Sequence, residues 1–181
     1  MANDVVDVVD VVLDADVLMN LVASGHASEV AGALSCHALL CPRPRAEALY
    51  LRLESGGQEE ISLGPLLRDG TLVPAEMSPD EIEMYVELAS VVDDGEAQAL
   101  AVAAVRNLRL ATDDRKARRE AGARKVVILS TPELMRNWAD VTKANDNRLA
   151  TALRNIETRA SYRPSAQHPL REWWDKCLQR T

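Results

Sequence analysis

The stretch that most constrains this chain runs from Asp10 to Leu18, read as Asp-Val-Val-Leu-Asp-Ala-Asp-Val-Leu. Val8 to Leu13 is almost entirely valine and leucine, a density that suits a strand buried on both faces of a helix-covered parallel sheet. The strand is expected to stop at Asp14, with Asp16 two residues on and an apolar run resuming at Val17. A carboxylate at the C-terminal end of a central parallel strand stands at the rim where open α/β sheets bind ligands. Two carboxylates there could hold a hard cation through oxygen. They could equally cap the following helix, since Asp is a favoured N-cap.

The rest of the chain alternates strands with helices. Helices are expected over Val17–Ala23 and Ala27–Leu34. A second strand follows at Ala38–Cys41, broken by Pro42-Arg43-Pro44. Ala46, Leu49, Tyr50 and Leu53 recur at helical spacing, which predicts a helix from about Pro44 to Glu54 with Glu47 in its first turn. A polar connection spans Gly56 to Gly64. A turn of helix is expected at Leu66–Asp69 and a short strand at Leu72–Pro74. Ser78-Pro79-Asp80-Glu81 is a helix start, with Ile82, Tyr85, Val86 and Ala89 as its expected buried stripe. Asp93-Asp94-Gly95-Glu96 opens another helix. Asp94 is the expected cap, Glu96 lies in the first turn, and Ala97, Leu100, Ala101, Ala104 and Val105 form the inward stripe. Strand Arg109–Thr112 ends in Asp113-Asp114 before a basic helix start. Val126–Leu129 is a last strand, and Ser130-Thr131-Pro132-Glu133 starts a last helix of the body.

This order predicts one right-handed, mostly parallel α/β/α body over residues 1–142 and a helical extension over 143–181. Asp14, Glu47, Glu96 and Asp113/Asp114 would then come from four separated segments to one edge of the sheet. Independent solvated acids need not fall at strand ends and helix starts, so the coincidence argues for a shared metal site.

Charge and cysteine usage narrow the field. The chain is −7 overall, yet residues 141–181 hold eight Lys and Arg against four Asp and Glu, so an acidic body precedes a basic tail. An acidic body is unlike a generic nucleic-acid binder. Cys36, Cys41 and Cys177 form no CxxC pair and His26, His37 and His168 lack ligand spacing, so zinc is not expected. The acidic N-terminal segment is unlike a signal peptide and no apolar run spans a membrane, so reduced cysteines in the cytoplasm are expected. With Phe absent, the core is expected to be Val, Leu and Ala.

The sequence resembles the PIN-domain family, to which toxin ribonucleases of the VapC kind belong. The resemblance rests on Val12-Leu13-Asp14-Ala15-Asp16, Arg45-Ala46-Glu47, Gly95-Glu96-Ala97-Gln98-Ala99-Leu100 and Leu110-Ala111-Thr112-Asp113-Asp114-Arg115, in that order, over roughly residues 8–140. It implies a three-layer sandwich and hydrolysis of RNA phosphodiester bonds with Mg²⁺ or Mn²⁺. It carries the family's acidic positions onto Asp14, Glu47, Glu96 and, from its Thr-x-Asp motif, Asp114 rather than Asp113. Asp16 departs from the small polar residue usual there. The partners implied are an RNA substrate, an antitoxin protein if the chain is a toxin, and a second copy of the chain, with no membrane. The competing reading is a PIN-like binding module without catalysis. A haloacid-dehalogenase-like phosphatase fits poorly, because no Lys precedes Arg115 to serve between its motifs.

The tail allows two roles. Leu149, Ala152, Leu153 and Ile156 form a helical stripe that could pack on the body or on a second subunit. Alternatively, Arg148, Arg154, Arg159 and Arg163 could meet phosphates and Trp173-Trp174 could stack on bases. On either view, removing residues 145–181 is expected to leave the acidic site intact while weakening RNA binding or dimerisation, because charge reverses between body and tail.

Overall fold

Strand β1 (Val11–Leu13) lies at the centre of a computed structural model that describes residues 10–46, 49–53 and 55–179. After it come α1 (Ala15–Ser24), α2 (Ala27–Gly32), β2 (Ala38–Leu40), α3 (Pro42–Ala46), β3 (Tyr50–Arg52), β4 (Gln58–Glu60), α4 (Gly64–Arg68) and β5 (Leu72–Pro74). The chain continues as α5 (Pro79–Leu88), α6 (Asp94–Val105), β6 (Arg109–Ala111), α7 (Arg115–Ala123), β7 (Ile128–Leu129), α8 (Thr131–Thr142) and α9 (Asp146–Asn155). A π-helical turn (Ile156–Ala160) and α10 (Arg171–Gln179) complete it.

Five strands form one parallel sheet in the order β5-β2-β1-β6-β7, with helices on both faces, as the alternation predicts. Side chains along each strand divide between two cores. Val11 and Leu13 join α1, α2, α8 and α9 on one face, whereas Val12 meets α6 and α7 on the other. A strand whose alternate residues feed two apolar layers must be apolar throughout, which is why β1 reads as an unbroken Val/Leu run.

Helix α6 lies deepest. Ala97 and Ala99 to Ala103 are all buried, so the expected one-sided stripe is wrong and the helix is covered nearly all round. Alanines make this feasible, because they let the helix lie close to the sheet. The stripe expected on α5 is also displaced: Ile82 is 49% and Val86 66% exposed, while Glu81 and Leu88 turn inward. Glu81 closes the Ser78 capping box by accepting the Ser78 N–H at 2.7 Å, and it accepts Arg106 Nε–H at 2.5 Å and Nη2–H at 3.0 Å. Burial alone would raise the Glu81 carboxyl, but the guanidinium and the Ser78 N–H hold it below the usual carboxylate range. Arg106→Ala would leave this carboxylate buried and uncompensated. A thermal or urea melt should show a loss of about 3 kcal/mol, the low end for breaking a buried pair, because the Arg106 side chain is partly exposed.

The helix expected from Pro44 to Glu54 is replaced by two structures. The proline tripeptide that was to break the chain instead begins α3, and β3 then pairs antiparallel with β4. Leu49 and Leu51 are buried while Tyr50 and Arg52 face out, a period of two that the helical reading overlooked. Gly56 and Gly57, at φ of +85° and +91°, supply the left-handed residues of the connecting turn.

The extension does not stand apart. Leu149, Ala152, Leu153, Ile156, Trp174 and Cys177 belong to the same core as Val11 and Leu13. Trp138 and Trp174 are its largest fully buried side chains, so the core is not only Val, Leu and Ala. Among the described residues, the tail's arginines are engaged internally. Arg148 Nη2 donates to both Glu29 oxygens at 2.5 and 2.6 Å, and its guanidinium lies 5.2 Å from the Trp138 ring centre. Arg159 pairs with Glu59, Arg163 with Asp175 and Glu157, and Arg154 donates to the Leu178 carbonyl. Trp174 gives its Nε1–H to Glu157 and is unavailable for stacking on a base. These contacts revise the expectation that the tail is dispensable to the acidic site.

Candidate functional site

The crossover pattern creates a crevice at one place on the sheet edge. The helix that follows β1 covers one face and the helix that follows β6 covers the other, so the chain parts between the C-terminal ends of β1 and β6. Asp14 ends β1 and Thr112-Asp113-Asp114 ends β6. The Asp14 N–H donates to the Ala111 carbonyl at 3.0 Å, which ties the two ends together.

Asp14 is buried and doubly held. Its Oδ1 accepts the Ala15 N–H at 2.7 Å as the N-cap of α1, and its Oδ2 accepts the Thr112 hydroxyl at 2.9 Å. Burial pushes its carboxyl up to about 6, against the pull of the Thr112 bond and with a further push from the Asp16 charge. Asp14, Asp16, Asp93, Asp94 and Glu96 line one cleft of about 280 Å³ with Ala15 and Gly95. Glu96 is pushed up to about 7 by burial first and then by the charges of Asp114 and Asp14. Asp16 is raised by burial and by Asp113, Asp114 and Asp93.

The cap assignment in this cleft differs from expectation. Asp93, not Asp94, is the N-cap of α6, and its N–H donates to Glu96 Oε2 at 3.2 Å. Asp94 pairs instead with Arg43. The two aspartates after β6 also separate in role. Asp113 accepts the Thr131 N–H at 3.1 Å, the Tyr162 hydroxyl at 2.9 Å and the Asn20 amide at 3.4 Å, so it ties α1, α8 and the extension together. Asp114 caps α7 through Oδ1, which accepts the N–H groups of Lys116 and Ala117 at 2.7 and 2.8 Å. Sequence reasoning missed Thr112, Asn20 and Tyr162. Thr112 stood in the quoted motif, but its hydroxyl partner comes from a segment 98 residues away.

Glu47 lies outside the described residues, so its expected place beside Asp14 is not among the contacts above. Among the described residues, Glu96 Oε1, Asp114 Oδ2 and both Asp16 oxygens accept no hydrogen bond. These are hard anionic donors of the kind a divalent cation takes. As they stand, no three Asp, Glu, His or Cys side chains of the described residues are grouped tightly enough to hold an ion. The donor chemistry fits Mg²⁺ or Mn²⁺. Burial first, and neighbouring carboxylates second, raise Asp14, Asp16 and Glu96, as expected where acids are drawn together at a partly buried rim.

Fold and site thus define a parallel α/β protein with an acidic crevice at its topological switch point. No protein-family model, curated protein or solved structure was found to match the chain. Among the described residues no helix is long and apolar enough to cross a membrane.

Proposed function

We propose that this chain is a PIN-like, divalent-metal-dependent endoribonuclease whose reacting groups are Asp14, Glu47, Glu96 and Asp114. The observation that carries the reading is the gathering of Asp14, Asp16 and Glu96 in one cleft, within electrostatic reach of Asp114, at the switch point of a parallel sheet. Bound Mg²⁺ or Mn²⁺ would neutralise these acids, acidify a water and steady the leaving oxygen. Asp14 offers a carboxylate whose direction is set by Ala15 N–H and the Thr112 hydroxyl. Glu96 keeps Oε2 on the Asp93 N–H and leaves Oε1 open to take a proton from an attacking water. Asp113 is a positioning residue, held by three donors behind the site. A role as the toxin of a toxin–antitoxin pair, with an antitoxin protein and a second copy as partners, belongs to the same proposal.

A second reading has support of its own. Asp14, Glu96 and Asp114 each serve a helix start, as acids in a non-catalytic binding module would. Cleavage decides between them. Single-stranded RNA of mixed sequence should be cut in Mn²⁺ or Mg²⁺ and not in EDTA, and Glu96→Gln should slow cutting by about 100-fold or more, the usual loss of a proton-transfer group. RNA that stays intact with the wild-type chain in both metals would leave the non-catalytic module.

A further inference from the structure

A second cavity, of about 340 Å³, has Asp113 in its wall. Its walls are the first turn of α7, through Arg115 and Arg118, and the segment from Tyr162 to Pro169 that leads into α10. We infer that this cavity holds a backbone phosphate of the substrate strand next to the one at the acidic crevice, with Arg115 and Arg118 as its cationic ligands. The inference rests on the nuclease reading for the identity of the strand, and on the cavity's own residues for the anion.

The residues divide cleanly by what they have left to offer. Arg115 is exposed and makes no hydrogen bond or ion pair among the described residues. Arg118, which lines the cavity, gives only Nη1–H to the Thr112 carbonyl at 3.3 Å among the described residues and leaves its other donors open. Positions 115 and 118 lie three apart on α7, so both side chains reach one side of the helix. Gln167 is exposed with its amide unengaged among the described residues, a neutral donor for a phosphate oxygen. Ser165 likewise keeps its hydroxyl unengaged among the described residues, whereas the remaining polar groups are spent. Arg163 is matched by Asp175 and Glu157. Tyr162 has its one hydroxyl hydrogen on Asp113. His168 accepts the Leu170 N–H at Nδ1, which leaves the ring hydrogen of a neutral imidazole on Nε2, toward Ser130 Oγ; the Ser130 hydroxyl in turn donates to Glu133.

Asp113 is the one acid on this wall, and it does not close the cavity to anions. Its oxygens already accept from Thr131, Tyr162 and Asn20, and Arg118 opposes its charge. Asp113 is also what joins the two sites, since its carboxylate lines this cavity while its charge is felt at Asp16 in the acidic cleft. A polyanion drawn toward a rim of carboxylates needs compensating cations beside it. Among the described residues, the tail's arginines are consumed by internal contacts, so Arg115 and Arg118 are the cations placed to serve.

The test uses the full chain in EDTA, a short labelled single-stranded RNA of fixed sequence, and a salt titration of its affinity. Arg115→Ala should weaken binding about fivefold and flatten the log–log salt slope by about 0.7, the value of one phosphate contact on a single strand. Arg115→Lys should keep the slope. Arg136→Ala, an exposed α8 cation of equal charge paired with Asp140, should change neither. Arg118→Lys gives a second reading should Arg118→Ala disturb the Thr112 carbonyl, and its binding should fall because a bidentate fork becomes a point charge. Unchanged affinity and slope in both Arg115→Ala and Arg118→Lys would overturn the inference. So would inorganic phosphate binding that depends on Arg115 when RNA binding does not, because the cavity would then serve a free anion. If RNA binding follows Arg115 but the wild-type chain cuts nothing, the subsite stands and the nuclease reading falls. If RNA is cut but Arg115→Ala leaves KM and slope unchanged, the reverse holds.

Discussion

Without divalent metal at pH 8, Asp14→Asn is expected to melt several degrees above the wild-type chain. Asp14 is 4% exposed and its carboxyl rises from 3.8 to about 6 on folding. The folded state therefore holds the proton more tightly than the unfolded one, and stability falls as pH rises from about 4 through 6. A shift of that size corresponds to about 3 kcal/mol at most, or several degrees at about 2–4 °C per kcal/mol. Asn retains the geometry. Its Oδ1 can still accept from Ala15 and its Nδ2 can donate to Thr112 Oγ1, because a hydroxyl both gives and accepts. At pH 4 the wild-type carboxyl is already protonated in the fold, and the two melting temperatures should converge. Glu96, raised to about 7 chiefly by burial, adds a fall in stability toward neutral pH that is smaller in the mutant, because the Asp14 charge is one of the causes of its elevation. Added Mn²⁺ reverses the order. A ligand at a hundredfold excess over its dissociation constant stabilises by about 2.7 kcal/mol, and the mutant should lose most of that gain together with RNA cleavage. Differential scanning calorimetry at pH 4 and pH 8, with Mn²⁺ and with EDTA, measures all four corners. Equal melting temperatures at pH 8 in EDTA would mean that Asp14 is a helix cap and nothing more.

Removing residues 145–181 is expected to abolish cooperative folding, not to free a nuclease body. The extension contributes Leu149, Leu153, Ile156, Trp174 and Cys177 to the core that also holds β1. It also carries the Tyr162 hydroxyl that reaches Asp113. Losing even one of the larger side chains is severe: Trp174→Ala should cost about 3–5 kcal/mol and lower the melting temperature by roughly 10 °C. Total stabilities of about 5–15 kcal/mol cannot absorb the loss of all of them. A 1–144 chain should show no sigmoidal melt and should expose apolar surface to a hydrophobic dye. A cooperative melt within about 5 °C of the full chain would show that the extension is an appendage.

Much of the architecture was legible because it depends on local chemistry. Val11-Val12-Leu13 has no polar side to offer and so reads as a strand covered on both faces. Ser78 with Glu81, and Ser130 with Glu133, announce helix starts through bonds that span three residues. Asp14, Glu96 and Asp114 could be singled out because they end strands or begin helices, and those places converge in any parallel α/β sheet. Local periodicity misled at Ala46 to Leu53, where apolar spacing fits a helix and a strand alike and only the pairing of β3 with β4 settles it. It misled again at Glu81, whose inward turn depends on an arginine 25 residues away.

The sequence by itself determined the sheet, its principal helix starts and the acids at its rim, because each follows from bonds or burial within a few residues. Only the tertiary structure decided how those acids divide. It turned Asp113 away toward Thr131 and Tyr162, locked Asp14 to Thr112, and spent Arg148, Arg159 and Arg163 on Glu29, Glu59, Glu157 and Asp175. The reason is physical: a charge is fixed by whichever partner folding brings within about 3 Å of it, and spacing along the chain does not reveal that partner.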